Sequence, residues 1–183
     1  MAAKQILLVV NSVYQLLTAV HLKQCLLADC ETDLLLTDNL PGEKTYAPRL
    51  MQTRLFRRIL SASTSEMNKK YTACKEEEIA EAFTHIPTHF RWVLSDELAD
   101  YEQVYFSNFD IFTRMLACLY DGKSCEFFCY EDGFSSYVID YLRKDRAPVN
   151  RCPAGIKIRE KISAVLLYEP RLAMRGDDLP NRP

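Results

Sequence analysis

Ile6-Leu7-Leu8-Val9-Val10 is an unbroken apolar run with no polar residue on alternate positions. An uninterrupted run of this kind fits a strand covered on both faces, and such strands belong to parallel sheets flanked by helices. Directly after it, Ser12-Val13-Tyr14-Gln15 has the S-x-x-Q form of a capping box, and Leu16, Leu17, Val20 and the residues from His21 to Leu27 keep helical spacing. Strand, polar turn and helix together make a βα unit.

The pattern recurs along the chain. Thr32 to Thr37 reads as a second buried strand, stopping at the turn cluster Asp38-Asn39-Leu40-Pro41-Gly42. Tyr46 to Arg54 predicts a short helix with Pro48 in its first turn, and Phe56 to Ser61 a weaker strand. Thr64 to His85 predicts one long helix whose Lys75 to Glu78 run is a solvated face. Gln103 to Phe106 predicts a strand ending at Ser107-Asn108, followed by a helix from Phe109 to Tyr120 closed by Asp121-Gly122. Cys125 to Tyr130 predicts the next strand, then Glu131-Asp132-Gly133 and a helix from Ser135 to Leu142, with Ile162 to Tyr168 as a sixth strand.

Strands alternating with helices imply an α/β fold, a Rossmann-like open, mostly parallel sheet with helices on both faces. The 183 residues allow one such domain, taken as 1–168, and 169–183 reads as a linker or tail rich in Pro, Asp and Arg. Residues that are 48% hydrophobic and 26% charged, with a net charge of −2, exclude general disorder and give no basic footprint for nucleic acid. No apolar run approaches the roughly 20 residues of a transmembrane span. The start lacks a small-residue cleavage site, so the chain reads as cytoplasmic, with peripheral contact at the inner face of a membrane left open. Seven cysteines without a CxxC or paired histidine spacing argue against a disulfide framework and against structural zinc; no metal site is expected. Cys125 and Cys129 read as small buried hydrophobes.

In open parallel sheets, ligands bind beyond the carboxyl ends of the strands. The residues there are Asn11 and Ser12, Asp38 and Asn39, Ser107 and Asn108, and Glu131-Asp132-Gly133. No G-x-G-x-x-G follows the first strand and no P-loop occurs, which removes the main support for dinucleotide and P-loop readings. The sharpest feature is Tyr130-Glu131-Asp132-Gly133-Phe134-Ser135-Ser136-Tyr137. Adjacent carboxylates at a strand end allow two assignments. Either Asp132 caps the following helix and Glu131 is solvated, or one of the acids serves as a general base.

This stretch resembles the acidic-acidic-glycine motif of bacterial sialyltransferases, namely the lipooligosaccharide sialyltransferase and bacterial polysialyltransferase families. Asn11-Ser12-Val13-Tyr14-Gln15-Leu16-Leu17 is similar to their first βα turn. The resemblance implies one lobe of a GT-B type enzyme with two Rossmann-like domains. Such an enzyme transfers sialic acid from CMP-sialic acid to a capsular or lipooligosaccharide glycan, with inversion and without a required metal or other cofactor. It implies Asp132 as base with Glu131 beside it; together with the strand-end placement, it leads to Asn11, Ser12, Asn108, Gly133 and Ser135 as the expected substrate contacts. The family's histidine-proline motif lies in the second domain, and this chain has no His-Pro: His85 precedes Ile86-Pro87 and His89 precedes Phe90, and both read as structural. The expectation is therefore an acceptor-side, N-terminal domain whose second domain or chain is missing, inactive by itself, arising as a truncated gene, a natural short form or an excised piece.

The rival reading is a non-catalytic α/β module binding a small ligand or a protein at its sheet ends. A serine hydrolase has less support, since no G-x-S-x-G elbow is present.

Overall fold

The computed structural model describes residues 3–72, 76–138 and 153–173. Six strands form one parallel sheet: β1 (Gln5–Val10), β2 (Glu31–Thr37), β3 (Arg58–Ala62), β4 (Gln103–Phe106), β5 (Glu126–Tyr130) and β6 (Ile162–Leu166), in the order β3-β2-β1-β4-β5-β6. The chain is thus a Rossmann-like α/β domain. The apolar run of β1 explains its central place, because its alternate residues enter two different cores. Ile6, Leu8 and Val10 pack under α1 (Val13–Cys25) and α2 (Glu43–Thr53) with Leu16, Ala19, Leu34 and Leu36. Leu7 and Val9 face the other layer with Leu35, Phe106 and Phe127. That layer is built from α3 (Ser65–Thr72), α4 (Glu76–Thr84), α5 (Ile86–Val93), α6 (Ile111–Leu119) and α8 (Pro153–Lys161), which contribute Tyr71, Ala82, Phe90, Phe112 and Ile158. The four-residue α7 (Ser135–Val138) follows β5. Among the described residues no helix is long and apolar enough to cross a membrane.

Several elements depart from the sequence expectation. The helix predicted from Tyr46 begins at Glu43 behind Gly42, whose φ of 79° suits glycine, so Pro48 sits in the second turn rather than the first. The helix packs on the core only through the partly buried Tyr46, Ala47 and Leu50, and Pro48 is exposed, so its missing N–H falls on the solvated side. The strand predicted from Phe56 starts at Arg58; Phe56 is buried in the turn before it. The single helix predicted from Thr64 to His85 is α3 and α4, with residues 73–75 outside the described set. The chain then starts a further helix, α5, because Pro87 lies in its first turn, where a missing N–H costs nothing. After α5, Leu94 forms an antiparallel bridge with Ala62 and closes the open side of β3. Helix α8 begins at Pro153 in a stretch given no element by the sequence, and the part of the predicted Ser135 to Leu142 helix beyond Val138 lies outside the described residues.

At the amino edge of the sheet, Asp33 of β2 is fully buried. Its oxygens accept from Arg57 Nε and Nη2 at 2.8 and 2.7 Å, from Arg58 Nε and Nη2 at 3.0 and 2.8 Å, and from the Tyr101 hydroxyl at 2.6 Å. This cluster ties β2, β3 and the segment entering β4 at the edge opposite the candidate site.

Candidate functional site

All six strands point the same way, so the loops after them share one edge. Sheet order places β1 next to β4, and connections diverge there, the position at which open α/β sheets take ligands. Ser12 is the N-cap of α1, its hydroxyl accepting the Gln15 N–H at 3.2 Å. Gln15, only 1% exposed, returns its Oε1 to the Asn11 N–H at 2.7 Å and sends its Nε2 to Asn108 Oδ1 at 3.1 Å. Asn11 Oδ1 accepts from Thr37 Oγ1 at 2.6 Å. Asn11, Ser12 and Asn108 thus belong to one network. Its consequence is a bridge across the crevice between the β1 and β4 loops, with the Asn11 oxygen committed to β2.

The β5 end is anchored by two bonds. The buried Tyr130 hydroxyl donates to Val9 O at 2.6 Å, and Ser107 Oγ donates to Tyr130 O at 2.9 Å. The next residue, Glu131, is 6% exposed. Its Oε1 accepts the Tyr14 hydroxyl at 2.7 Å; its Oε2 accepts the Tyr137 hydroxyl and the Tyr168 main-chain N–H, the latter at 2.9 Å. The hydrogen bond to Glu131, with burial, raises the Tyr14 phenol pKa, and burial followed by the same partner raises that of Tyr137. One carboxylate therefore joins α1, α7 and the chain beyond β6. Since all three partners are donors, Glu131→Gln turns an NH₂ group toward a donor and leaves it unmatched. The expected cost is about 1–3 kcal/mol, which thermal unfolding would read as a fall of several degrees.

Asp132 is arranged differently. Its N–H donates to Ser136 Oγ at 2.8 Å and its carbonyl oxygen accepts from Ser135 Oγ at 3.5 Å, while Gly133, with φ of 78°, turns the chain into α7. Its carboxylate is half-buried and, among the described residues, takes no hydrogen bond or ion pair. The capping assignment raised by the sequence is therefore reversed among the described residues: the buried, hydrogen-bonded acid is Glu131, and the Asp132 side chain accepts no N–H of α7 there.

Other acids in the loops at this edge are already occupied. Asp38 accepts the N–H groups of Thr64 and Ser65 at 2.8 and 2.9 Å, with both their hydroxyls. Asp110 caps α6 through the Thr113 N–H at 2.9 Å and accepts Asn68 Nδ2 at 3.2 Å; burial raises its pKa against those bonds. Glu169 pairs with Arg171 at 2.7 Å.

His85 precedes α5 and His89 belongs to it; this helix packs on α6, with the Phe90 and Phe112 rings 5.3 Å apart, and the residue after it, Leu94, bridges Ala62 of β3. Sequence reasoning gave no role to Tyr14, Tyr137 or Tyr168. The first two lie inside the quoted segments and could have been singled out as donors; Tyr168 acts through its main chain and leaves no side-chain signal.

Comparison of the chain with protein-family models, with curated proteins and with solved structures finds no match.

Proposed function

We propose that this domain is the acceptor-side lobe of an inverting, metal-independent glycosyltransferase of sialyltransferase type, cytoplasmic and using CMP-sialic acid as donor, with Asp132 as general base. The observation that carries the reading is the junction at Glu131. The two segments that resemble the family, around Tyr14 and around Tyr137, meet on that one carboxylate, while the neighbouring Asp132 carboxylate takes no hydrogen bond or ion pair among the described residues. An open carboxylate held beside a rigid knot suits proton transfer, because a base must be fixed in place yet have an oxygen free for the incoming hydroxyl.

In the reaction, the acceptor oxygen attacks the anomeric carbon as its proton passes to Asp132. The bond from that carbon to the phosphate oxygen breaks, and cytidine monophosphate leaves with the bonding pair. The opposite face of the carbon receives the nucleophile, which gives inversion. Groups on a second lobe would stabilise the departing phosphate. Asn108, Ser12, Gly133 and Ser135 would shape the acceptor side of the cleft, and Glu131 would hold the loop.

The test is acceptor-dependent release of cytidine monophosphate from CMP-sialic acid by the protein as its gene encodes it. Release that requires an oligosaccharide supports the reading. No release with any of a panel of neutral and sialylated oligosaccharides would overturn it in favour of a binding module.

A further inference from the structure

Trp92, the only tryptophan of the chain, is 84% exposed on α5, the helix that buries Ile86 and Phe90 on its inner side. An indole left in water is apolar surface without a partner. The same helix forms one wall of a cavity of about 540 Å³. Its other walls are the 94–99 segment and the C-terminal end of α6, away from the Asp110 cap and the carboxyl edge of the sheet. Phe90, Leu94, Leu98, Leu119 and Tyr120 give it an apolar lining. Charge stands only on its exposed rim, with Arg91 and Lys123 against Asp96 and Glu97. Lys123 is held by Asp100 at 2.6 Å, and Asp96 lies 3.8 Å from Arg58. Arg91 takes no hydrogen bond or ion pair among the described residues.

We infer that this face pairs two copies of the chain, with Trp92 of each seated in the cavity of the other. The chain supplies both the projecting side chain and the hollow for it, on one helix. Arg91 and Trp92 are separated by about 100° around α5 and about 1.5 Å along it, so they stand at one height on neighbouring flanks. A twofold axis running along α5 keeps heights and exchanges flanks. Each indole then arrives beside the Arg91 of the other copy, and the unpaired guanidinium gains an aromatic face. Two positive and two negative residues on the rim let the copies meet without net repulsion. A tryptophan and an arginine over an apolar hollow are the usual anchors of a protein interface. The contact is remote from the Asp132 loop and independent of the transferase reading.

Sedimentation equilibrium of the 183-residue chain between about 1 µM and 1 mM reads the association, and the emission of its single tryptophan reads where it occurs. The expected result is a monomer that becomes a dimer over this range, with the indole emission moving to shorter wavelength in step. Trp92→Ala should raise the dimer Kd at least about thirtyfold, the effect of a buried tryptophan anchor. Two silent partners then locate the contact. Trp92→Ala has no tryptophan and an intact cavity; adding Arg91→Glu to it alters only the rim, through an exposed side chain that holds nothing in the described fold. Titrated into dilute wild type, the first should shift the emission, and the second should need at least about tenfold more protein for the same shift. A chain that stays monomeric, a dimer whose emission ignores dilution, a dimer indifferent to Trp92→Ala, or two silent partners of equal strength would each overturn it. Short-wavelength emission from a monomer would do so as well, since the chain's own residues would then cover Trp92.

Discussion

Asp132→Asn lowers sugar transfer by at least about a hundredfold while leaving the melting temperature nearly where it was, the expected outcome if this carboxylate is the general base. Asn has the same shape and cannot take the proton. Because the Asp132 carboxylate makes no hydrogen bond among the described residues, even Asp132→Ala should change stability by less than about 0.5 kcal/mol, whereas a capping aspartate would cost about 1 kcal/mol. Transfer kinetics and thermal unfolding on the same preparations separate the two roles. An Asn variant with near-normal turnover would take the proton acceptor away from Asp132. It would not hand the role to Glu131, whose oxygens already hold Tyr14, Tyr137 and the Tyr168 N–H.

The largest effect on stability is expected at the other edge of the sheet. Asp33→Ala leaves Arg57, Arg58 and Tyr101 without the acceptor that takes five of their hydrogen bonds. Breaking a buried ion pair from one side costs about 3–5 kcal/mol, and the lower end applies because each arginine side chain is about a third exposed. At this chain length, that lowers the melting temperature by about 10 °C. The pH dependence has a definite sign. Burial by itself would raise the Asp33 pKa, and the hydrogen bonds from Arg57, Arg58 and Tyr101 overcome it, leaving the carboxyl below its ordinary value. A group depressed in the folded state stabilises fully above its unfolded pKa, about 3.9, and loses that contribution as pH falls through the folded value. The gap between wild type and Asp33→Ala should be full at pH 7 and shrink below about pH 4. A gap under 1 kcal/mol at pH 7 would show that the cluster contributes little.

The strands were legible because burial on both faces writes an unbroken apolar run, as in Ile6 to Val10 and Leu34 to Leu36, and no helix-period pattern competes with it. Parallel pairing followed, since helical stretches separate every pair of strands. Helices α5 and α8 were not legible because each has a proline in its first turn, Pro87 and Pro153, and a proline reads as a stop as readily as a start. The site was legible to the level of a loop and no finer. That the acids lie at the carboxyl edge follows from strand direction, but which of two adjacent acids is buried depends on Tyr14 and Tyr168, 117 and 37 residues from Glu131. Periodicity carries no information over such separations. Gln15 shows the same limit: its place in a capping box was readable, its bond to Asn108 was not.

The place of β1 in the sheet has a consequence for how the protein is made. One side of β1 meets β2 early, Ile6 beside Thr32, but the other side waits for β4, where Ile6 is matched with Gln103. At about 5–20 residues per second, a ribosome needs roughly 5–20 s to supply that partner. During this interval the most apolar strand of the chain offers a bare row of amide and carbonyl groups to any other nascent chain. A half-made molecule is thus far stickier than a finished one, and its yield in cells should be governed by how well β1 is shielded until residue 103 emerges.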